Sequence, residues 1–166
     1  MALVVAAYPE NLKALSQLAA TYQDKGQYKE AVKEYRKILV HQPQNFSIQF
    51  NTGACLLALK DYEPSIEALT KAVQLDGSVP EAHALLGAAQ SGRGNYSEAA
   101  KELRAAIALK SDRAEWFSQL GEALNKQKDT KGAIEAYRQA QILDPKDVNS
   151  GYTLGYLLQN NGDLDE

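Results

Sequence analysis

Residues 80–113, PEAHALLGAAQSGRGNYSEAAKELRAAIALKSDR, hold one full period of a pattern that runs along the chain. Glycine recurs every 34 residues, at Gly53, Gly87, Gly121 and Gly155. Proline follows the same interval from Pro9 to Pro43, and Pro145 lies three periods further on. Because a fixed period along a whole chain indicates one supersecondary unit that is stacked repeatedly, the sequence predicts an array of repeats.

The period divides the 166 residues into four complete repeats and two partial ones. With Leu12 as the first position, the complete repeats are 12–45, 46–79, 80–113 and 114–147. Residues 1–11 match the end of a preceding repeat, and residues 148–166 match the first helix of a truncated fifth repeat. We therefore expect the chain to begin and end inside repeats, as a segment of a longer array would.

Each repeat is predicted to form two helices joined by a turn. In the first repeat, apolar residues recur at helical spacing in two series, Leu15, Leu18, Ala19 and Tyr22, then Tyr28, Ala31, Tyr35 and Ile38. The segment Asp24-Lys25-Gly26 separates the two series, and Gly94 and Gly162 share the turn register of Gly26. The predicted fold class is therefore all-α, with paired helices.

Small residues mark the positions where helices are expected to cross closely. The recurring glycines, from Gly53 to Gly155, occupy such a position on the first helices. The second helices carry their own series of small residues, Ala31, Ser65, Ala99 and Ala133. Since a larger side chain would force the helix axes apart, a leucine at Gly87 is expected to cost about 1–3 kcal/mol of stability.

This pattern resembles the tetratricopeptide repeat (TPR), a helix–turn–helix unit of 34 residues. The third repeat carries the resemblance in Leu86-Gly87, Ala99, Leu103 and Ala106, and the fourth in Leu120-Gly121, Ala133, Tyr137, Ala140 and Pro145. The resemblance covers nearly the whole chain. It implies a right-handed superhelical solenoid of antiparallel helix pairs, whose first helices line a concave groove. In that family the groove usually binds an extended or helical peptide of another protein.

The predicted groove residues are those on first helices that the packing stripe does not use. The predicted peptide-binding residues are Phe50, Ala54, Leu57, Glu81, Ala84, Ala88, Glu122, Asn125, Tyr152 and Tyr156. Phe50 and Leu57 are expected to anchor a partner, because large apolar side chains at a surface often dominate binding. Alternatively, Phe50 covers a neighbouring helix, and the two tyrosines cap the stack or contact a further repeat.

One subclass of the family holds chaperone C-termini with lysine, asparagine and arginine side chains in the groove. The corresponding positions here are Ser16, Ala20, Asn51, Glu81 and Leu85, of which only Asn51 matches. We therefore expect no binding of chaperone tails by this chain.

The remaining composition points away from other functions. His41, His83 and Cys55 are too scattered for a metal or catalytic cluster, so neither enzymatic activity nor a cofactor is predicted. A net charge of −3 argues against a nucleic-acid partner. No apolar run reaches the roughly 18 residues of a membrane helix, so membrane insertion is not expected. The sequence does not identify the cellular compartment, and a soluble cytoplasmic protein is slightly favoured.

Two functions remain at this point. The first is a non-enzymatic scaffold that binds a peptide or helix of another protein in its groove. The second is a docking or regulatory arm of a larger enzyme or assembly complex. End-to-end self-association is a further expectation. The first repeat has six basic and three acidic residues, whereas the fragment from Val148 has three acidic residues and no basic one, so the two ends carry opposite net charge.

Overall fold

The computed structural model describes residues 11–162, so residues 1–10 of the partial repeat predicted at 1–11 and the last four residues of the chain lie outside this range. The described residues form nine α-helices: α1 (Leu12–Asp24), α2 (Tyr28–His41), α3 (Phe46–Ala58), α4 (Tyr62–Leu75), α5 (Pro80–Arg93), α6 (Tyr96–Leu109), α7 (Ala114–Lys126), α8 (Thr130–Leu143) and α9 (Val148–Asn161). The predicted all-α fold class is therefore confirmed.

The chain divides into two compact units, one ending at Ser78 and the other beginning at Val79. The N-terminal unit contains α1–α4, and each helix packs against the next one in sequence. The C-terminal unit contains α5–α9 and is packed in the same sequential way, with an additional direct contact between α5 and α7. Short turns between consecutive helices make these neighbours antiparallel pairs.

Each unit has its own hydrophobic core, built from the apolar stripes of its helices. In the N-terminal unit the core joins Leu15 and Ala19 of α1 to Tyr35 and Ile38 of α2 and to Leu56 of α3. The core of the C-terminal unit includes Leu103, Trp116, Leu120, Ile134 and Leu157. Because one helix pair cannot bury its apolar stripe alone, neighbouring pairs complete each core.

Three of the recurring glycines lie at close helix crossings, as predicted. A methyl group on Gly53 would lie 2.5 Å from Leu69 Cγ, and one on Gly87 would lie 2.8 Å from Leu103 Cγ. At Gly121 the nearest atom of Tyr137 would be 2.9 Å away. The prediction stays untested at Gly155, where no described atom lies within 4 Å, because the helix that would pack against it lies beyond the described residues 11–162.

The small residues on the second helices are also buried at the crossings. Ala31, Ala99 and Ala133 are fully buried, and so is Ser65. The Ser65 hydroxyl donates a hydrogen bond of 2.8 Å to the backbone oxygen of Gly53. This bond satisfies the hydroxyl, so a polar side chain is tolerated where the other repeats have alanine.

The residues that follow the first helix of each repeat share one backbone conformation. Gly26, Gly94 and Gly162 have φ angles of 71°, 89° and 80°. The same register holds Lys60 and Lys128, with φ angles of 58° and 66°. All five positions are therefore left-handed, although two of them carry a side chain that disfavours this conformation.

A membrane-spanning segment would require a long apolar helix. None of the helices described between residues 11 and 162 is long and apolar enough to cross a bilayer.

Candidate functional site

Three of the predicted groove residues share one face of α3 in the N-terminal unit. Phe50, Ala54 and Leu57 are spaced by four and three residues, and all three are partly exposed. The ring of Phe50 stacks on the ring of Phe46 of the same helix, with centroids 5.8 Å apart. This contact orients Phe50 along α3, so its ring, Ala54 and Leu57 form a partly exposed apolar strip.

The start of α3 is set by a local cap. Asn45 Oδ1 accepts a hydrogen bond of 3.2 Å from the backbone N–H of Ile48, which satisfies one of the free donors at the helix N-terminus. On the opposite side of the helix, Ile48 and Leu56 are buried in the core. The cap and the core together fix which side of α3 carries the apolar strip.

The predicted residues on α5 differ in their exposure. Glu81 and Ala88 are partly exposed, whereas Ala84 is only 5% exposed and belongs to the core cluster that contains Trp116 and Leu120. The expectation that Ala84 lies outside the packing stripe is therefore wrong. Ala84 is buried because α5 contacts α7 directly, through a face of α5 that the sequence pattern had not assigned to packing.

A cleft of about 560 Å³ opens between α7, α8 and α9 in the C-terminal unit. Glu122 and Asn125, both predicted groove residues, line its α7 side. Tyr137 of α8 and Asn149 and Thr153 of α9 line the other sides. The structure thus brings two predicted groove residues together with Tyr137, which was not predicted to line the groove.

Carboxylates dominate the charge of this cleft. Glu115, Glu122, Asp144 and Asp147 line it, and Lys126 is the one basic residue among the lining side chains that the structure describes. The cleft therefore presents a negative potential to solvent, which favours a cationic ligand.

Asp147 is the most strongly held of these carboxylates. Its Oδ1 accepts hydrogen bonds from the backbone N–H groups of Asn149 (3.1 Å) and Ser150 (3.3 Å) at the start of α9. Its Oδ2 accepts from the Ser150 hydroxyl and from Ser118 of α7 at 3.3 Å. The Ser150 hydroxyl, followed by the Ser150 backbone N–H, lowers the pKa of Asp147, so the carboxylate is charged at neutral pH.

Tyr137 forms an uncharged part of the lining. Its side chain is 6% exposed, and burial raises its pKa to about 12, with smaller contributions from the negative charges of Glu122 and Asp147. The phenol therefore stays protonated at neutral pH and adds no charge to the cleft.

Gln119 contributes an acceptor without a partner. Its Nε2 donates a hydrogen bond of 3.2 Å to Glu115 Oε1, which fixes the direction of the amide. Its Oε1 is buried and has no hydrogen-bond partner among the described residues. A buried acceptor without a donor costs stability, and its lack of accessible surface keeps it out of contact with anything that enters the cleft.

Tyr152 and Tyr156 are not among the residues that line the cleft. They are 78% and 58% exposed on α9, beside the equally exposed Val148. No contact with another described helix assigns them a structural role, and their role in peptide binding stays a prediction.

A second cavity, of about 190 Å³, lies in the N-terminal unit between α2, α3 and α4. Arg36 of α2, Thr52 of α3 and Lys71 of α4 are among its lining residues. Sequence reasoning missed it, because the residues at its rim are ordinary packing or solvent-facing positions in the repeat.

A comparison with known sequence families matches the region that contains the repeats. A model of the tetratricopeptide repeat matches residues 16–80 and, a second time, residues 84–148. Together these segments cover well over half of the chain. The chain belongs to the tetratricopeptide repeat family. Its nine described helices, packed in sequential pairs, are therefore an array of TPR units.

Solved structures of TPR proteins have the same fold. A crystal structure of MamA is 26% identical, with a TM-score of 0.84 over 89% of this chain and 86% of that one. The crystal structure of YrrB, described as a TPR protein with an unusual peptide-binding site, is 15% identical, with a TM-score of 0.84 over 99% of this chain and 84% of that one. At that identity, the likeness to YrrB shows the fold alone.

A curated relative extends the comparison to a larger protein. The BBSome complex member BBS4 of Xenopus tropicalis is 29% identical over 133 residues, which are 80% of this chain. The chain spans only 26% of the length of that relative.

Proposed function

We propose that this TPR chain is a non-enzymatic scaffold that binds a peptide or helix of another protein along its first helices. TPR proteins typically act through protein interactions, and the matched family is a repeat family rather than a catalytic one. The observation that carries the proposal is the partly exposed apolar strip of Phe50, Ala54 and Leu57 on α3. Apolar side chains arranged along one helix face are typical anchor sites for a peptide.

One relative and one protein that shares the fold support binding of a protein segment. YrrB is described as having a peptide-binding site, and BBS4 is a member of a complex. The proposed binding residues are the strip on α3 in the N-terminal unit and, described separately in the C-terminal unit, Glu81 and Ala88 on α5 and Glu122 and Asn125 on α7.

A docking arm of a larger assembly is the second candidate. It is favoured by the fact that the chain spans 26% of a relative that is itself part of a complex. The sequence of the full-length polypeptide distinguishes the two candidate functions, because a catalytic domain on the same polypeptide would favour the docking arm.

Peptide selection tests the scaffold proposal directly. Phage-displayed random peptides would be selected on the wild-type chain, and the affinity of the selected peptides would be measured by fluorescence anisotropy. Leu57→Asp on α3 and Asn125→Arg on α7 each disturb the proposed groove. Matched controls place the same side chains on second helices, as Val40→Asp on α2 and Ala108→Arg on α6, where both original residues are exposed.

We expect each selected peptide to bind at least one groove variant about tenfold more weakly, as the loss of an anchor contact requires. Both control variants should bind like the wild type, and all four should retain the wild-type circular dichroism. Peptides that bind both groove variants as tightly as the wild type would overturn the proposed groove. Failure to select any peptide would overturn peptide binding altogether.

Light scattering tests the end-to-end association of copies. A mass that rises with protein concentration is expected for an open head-to-tail contact, whereas a monomer at all concentrations contradicts it.

A further inference from the structure

We propose that the cavity between α2, α3 and α4 binds the carboxamide side chain of a glutamine or asparagine from a partner peptide. Its buried polar residues are Gln49 and Thr52, which lie on a different face of α3 from the apolar strip. The inference therefore goes beyond the proposed function, because it names a second contact surface with its own chemistry.

A comparison of two repeats explains why the cavity exists. In the third repeat, His83 Nδ1 of α5 lies 2.7 Å from Glu102 Oε2 of α6, and both side chains are largely buried. The same positions one period earlier are Gln49 of α3 and Ala68 of α4, and both residues line the cavity. Because alanine lacks the long side chain of glutamate, the second repeat has room here for a polar side chain from outside the chain.

Gln49 supplies an acceptor to this space, and its side chain is only 4% exposed. Its Nε2 donates a hydrogen bond of 2.9 Å to the backbone oxygen of Pro43, which fixes the direction of the amide. Its Oε1 accepts no hydrogen bond from the described residues. Gln119 Oε1 is the one described side-chain atom that is sealed from solvent without a partner, so Gln49 Oε1 keeps a surface open to the cavity. A nearly buried acceptor in this state favours a ligand that donates an N–H.

The charged residues of the cavity and the free acceptor together select an uncharged ligand. Arg36 of α2 and Lys71 of α4 line the cavity beside Glu67, whose carboxylate lies 2.7 Å from Lys71 Nζ. Two cations against one carboxylate disfavour a lysine or arginine, and a carboxylate has no proton to donate to Gln49 Oε1. A primary carboxamide has two N–H donors and one acceptor oxygen, so it can donate to Gln49 while it accepts from Arg36.

The size of the cavity indicates a peptide side chain rather than a free small molecule. Its volume of about 190 Å³ is below the roughly 300–1,000 Å³ that is common for small-ligand sites. An adjoining cavity of about 240 Å³ shares Pro43, Gln49 and Lys71 with it and is also lined by Gln44 and Gln74. The two cavities therefore form one elongated recess, whose additional glutamine amides can bond a peptide backbone.

Peptide selection with a depletion step tests this inference. Phage-displayed random peptides would first be depleted on Ala68→Gln, which places a tethered carboxamide in the cavity, and then selected on the wild-type chain. We expect the recovered peptides to carry glutamine or asparagine at one preferred position. Replacement of that residue by an apolar side chain of similar size should weaken binding to the wild type roughly five- to fiftyfold, because Gln49 then loses its donor.

Protein variants locate the contact. Arg36→Ala should weaken binding of the recovered peptides about threefold, since partly exposed charged contacts are modest in strength. Arg36 is exposed, so this variant replaces Ala68→Gln in the depletion if Ala68→Gln loses the wild-type circular dichroism. Ala108→Gln is the matched control, because it adds the same side chain at an exposed position of α6. The peptides should bind Ala108→Gln and Leu57→Asp like the wild type.

The possible results separate this inference from the proposed function. Recovered peptides without a preferred glutamine or asparagine would overturn the carboxamide site, and so would the recovery of no peptide after depletion. Equal losses of affinity in Leu57→Asp and in Arg36→Ala would show that the recess is not a separate surface and would also overturn it. The scaffold proposal is decided independently, by the peptides that are selected without depletion and measured on Leu57→Asp and Asn125→Arg.

Discussion

Lys60 and Lys128 adopt the left-handed backbone conformation that glycine adopts at the equivalent positions Gly26, Gly94 and Gly162. For a residue with a β-carbon this conformation costs roughly 1–2 kcal/mol. Glycine removes that cost but loses more conformational entropy on folding, about 0.5–1 kcal/mol. The two lysines are therefore small local sources of instability.

Lys60→Gly is expected to stabilise the chain by about 0.5–1 kcal/mol, since the relief of backbone strain exceeds the entropic cost. Urea unfolding monitored by circular dichroism measures the change as a higher midpoint with an unchanged slope. Lys33→Gly, at an exposed position inside α2, is the control and should destabilise by about 1 kcal/mol. A lower midpoint for Lys60→Gly would contradict the strain argument.

Gly53 and Gly155 occupy equivalent positions in different repeats and are predicted to respond in opposite directions. Gly53→Ala would place a methyl group 2.5 Å from the fully buried Leu69, and we expect a loss of about 1–2 kcal/mol. Gly155→Ala meets no described atom within 4 Å, so the higher helix propensity of alanine should add up to about 1 kcal/mol. Thermal or urea unfolding measures the change in stability of both variants. Equal shifts of the unfolding midpoint would contradict the prediction.

The glycines and lysines show which residue-level features of the fold could be predicted from the sequence. Gly53, Gly87 and Gly121 were predicted as close crossings because the period repeats them on the buried side of first helices. The left-handed lysines were not predicted, since lysine has no preference for that conformation and only the register of the neighbouring turns could have indicated it.

At the scale of the helix, Asp147 is the residue on which α9 depends. Its carboxylate caps the first turn and also accepts a hydrogen bond from Ser118 of α7. Asp147→Ala is expected to cost about 0.5–2 kcal/mol, the range for the loss of an N-cap. Amide hydrogen exchange should be faster along α9 than along α8 in this variant.

Asp112→Ala is the matched control for the cap, because Asp112 is an exposed aspartate that precedes α7 outside its cap position. Equal exchange rates in α9 for Asp147→Ala and for the wild type would show that the cap is not needed.

The helix scale also explains which site residues the sequence could provide. The spacing correctly separated the exposed face of α3 from its buried face. It failed for Ala84, because a repeat pattern does not indicate which side of α5 meets α7. The cleft itself was not predictable, since its volume depends on how α7, α8 and α9 diverge, and helix spacing carries no information on that separation.

For the whole molecule, buried ionisable groups set the stability at high pH. Burial raises the pKa of Tyr35 and of Tyr137 from 10.0 to about 12, and that of the Cys55 thiol from 9.0 to about 11. The folded chain keeps these groups neutral where the unfolded chain ionises them. The stabilisation is therefore complete below the unfolded pKa values and is lost as the pH rises through the folded ones.

We expect the free energy of unfolding to fall between about pH 9 and pH 12, the window set by these pKa values. Urea titrations at successive pH values measure the fall, and tyrosinate absorbance follows the phenols. In Tyr137→Phe the fall should be shallower, because one late-ionising phenol is removed. A profile as steep as that of the wild type would contradict this assignment.

At this largest scale the sequence predicted the repeat family and the all-α fold, because many positions agree in every period. The repeat bounds at 12–45, 46–79, 80–113 and 114–147 and the right-handed superhelix remain predictions. Handedness follows from the family resemblance, and no single residue in the chain determines it.

The five left-handed corners, at residues 26, 60, 94, 128 and 162, have one further consequence. Any stretch that runs from one corner to the next begins and ends in the same backbone geometry, so it could be duplicated or deleted without a mismatch at the junction. The array could therefore gain or lose whole repeats without a change in the backbone geometry of these turns. A protein engineer could use the corners as splice points to change how many binding modules the chain displays.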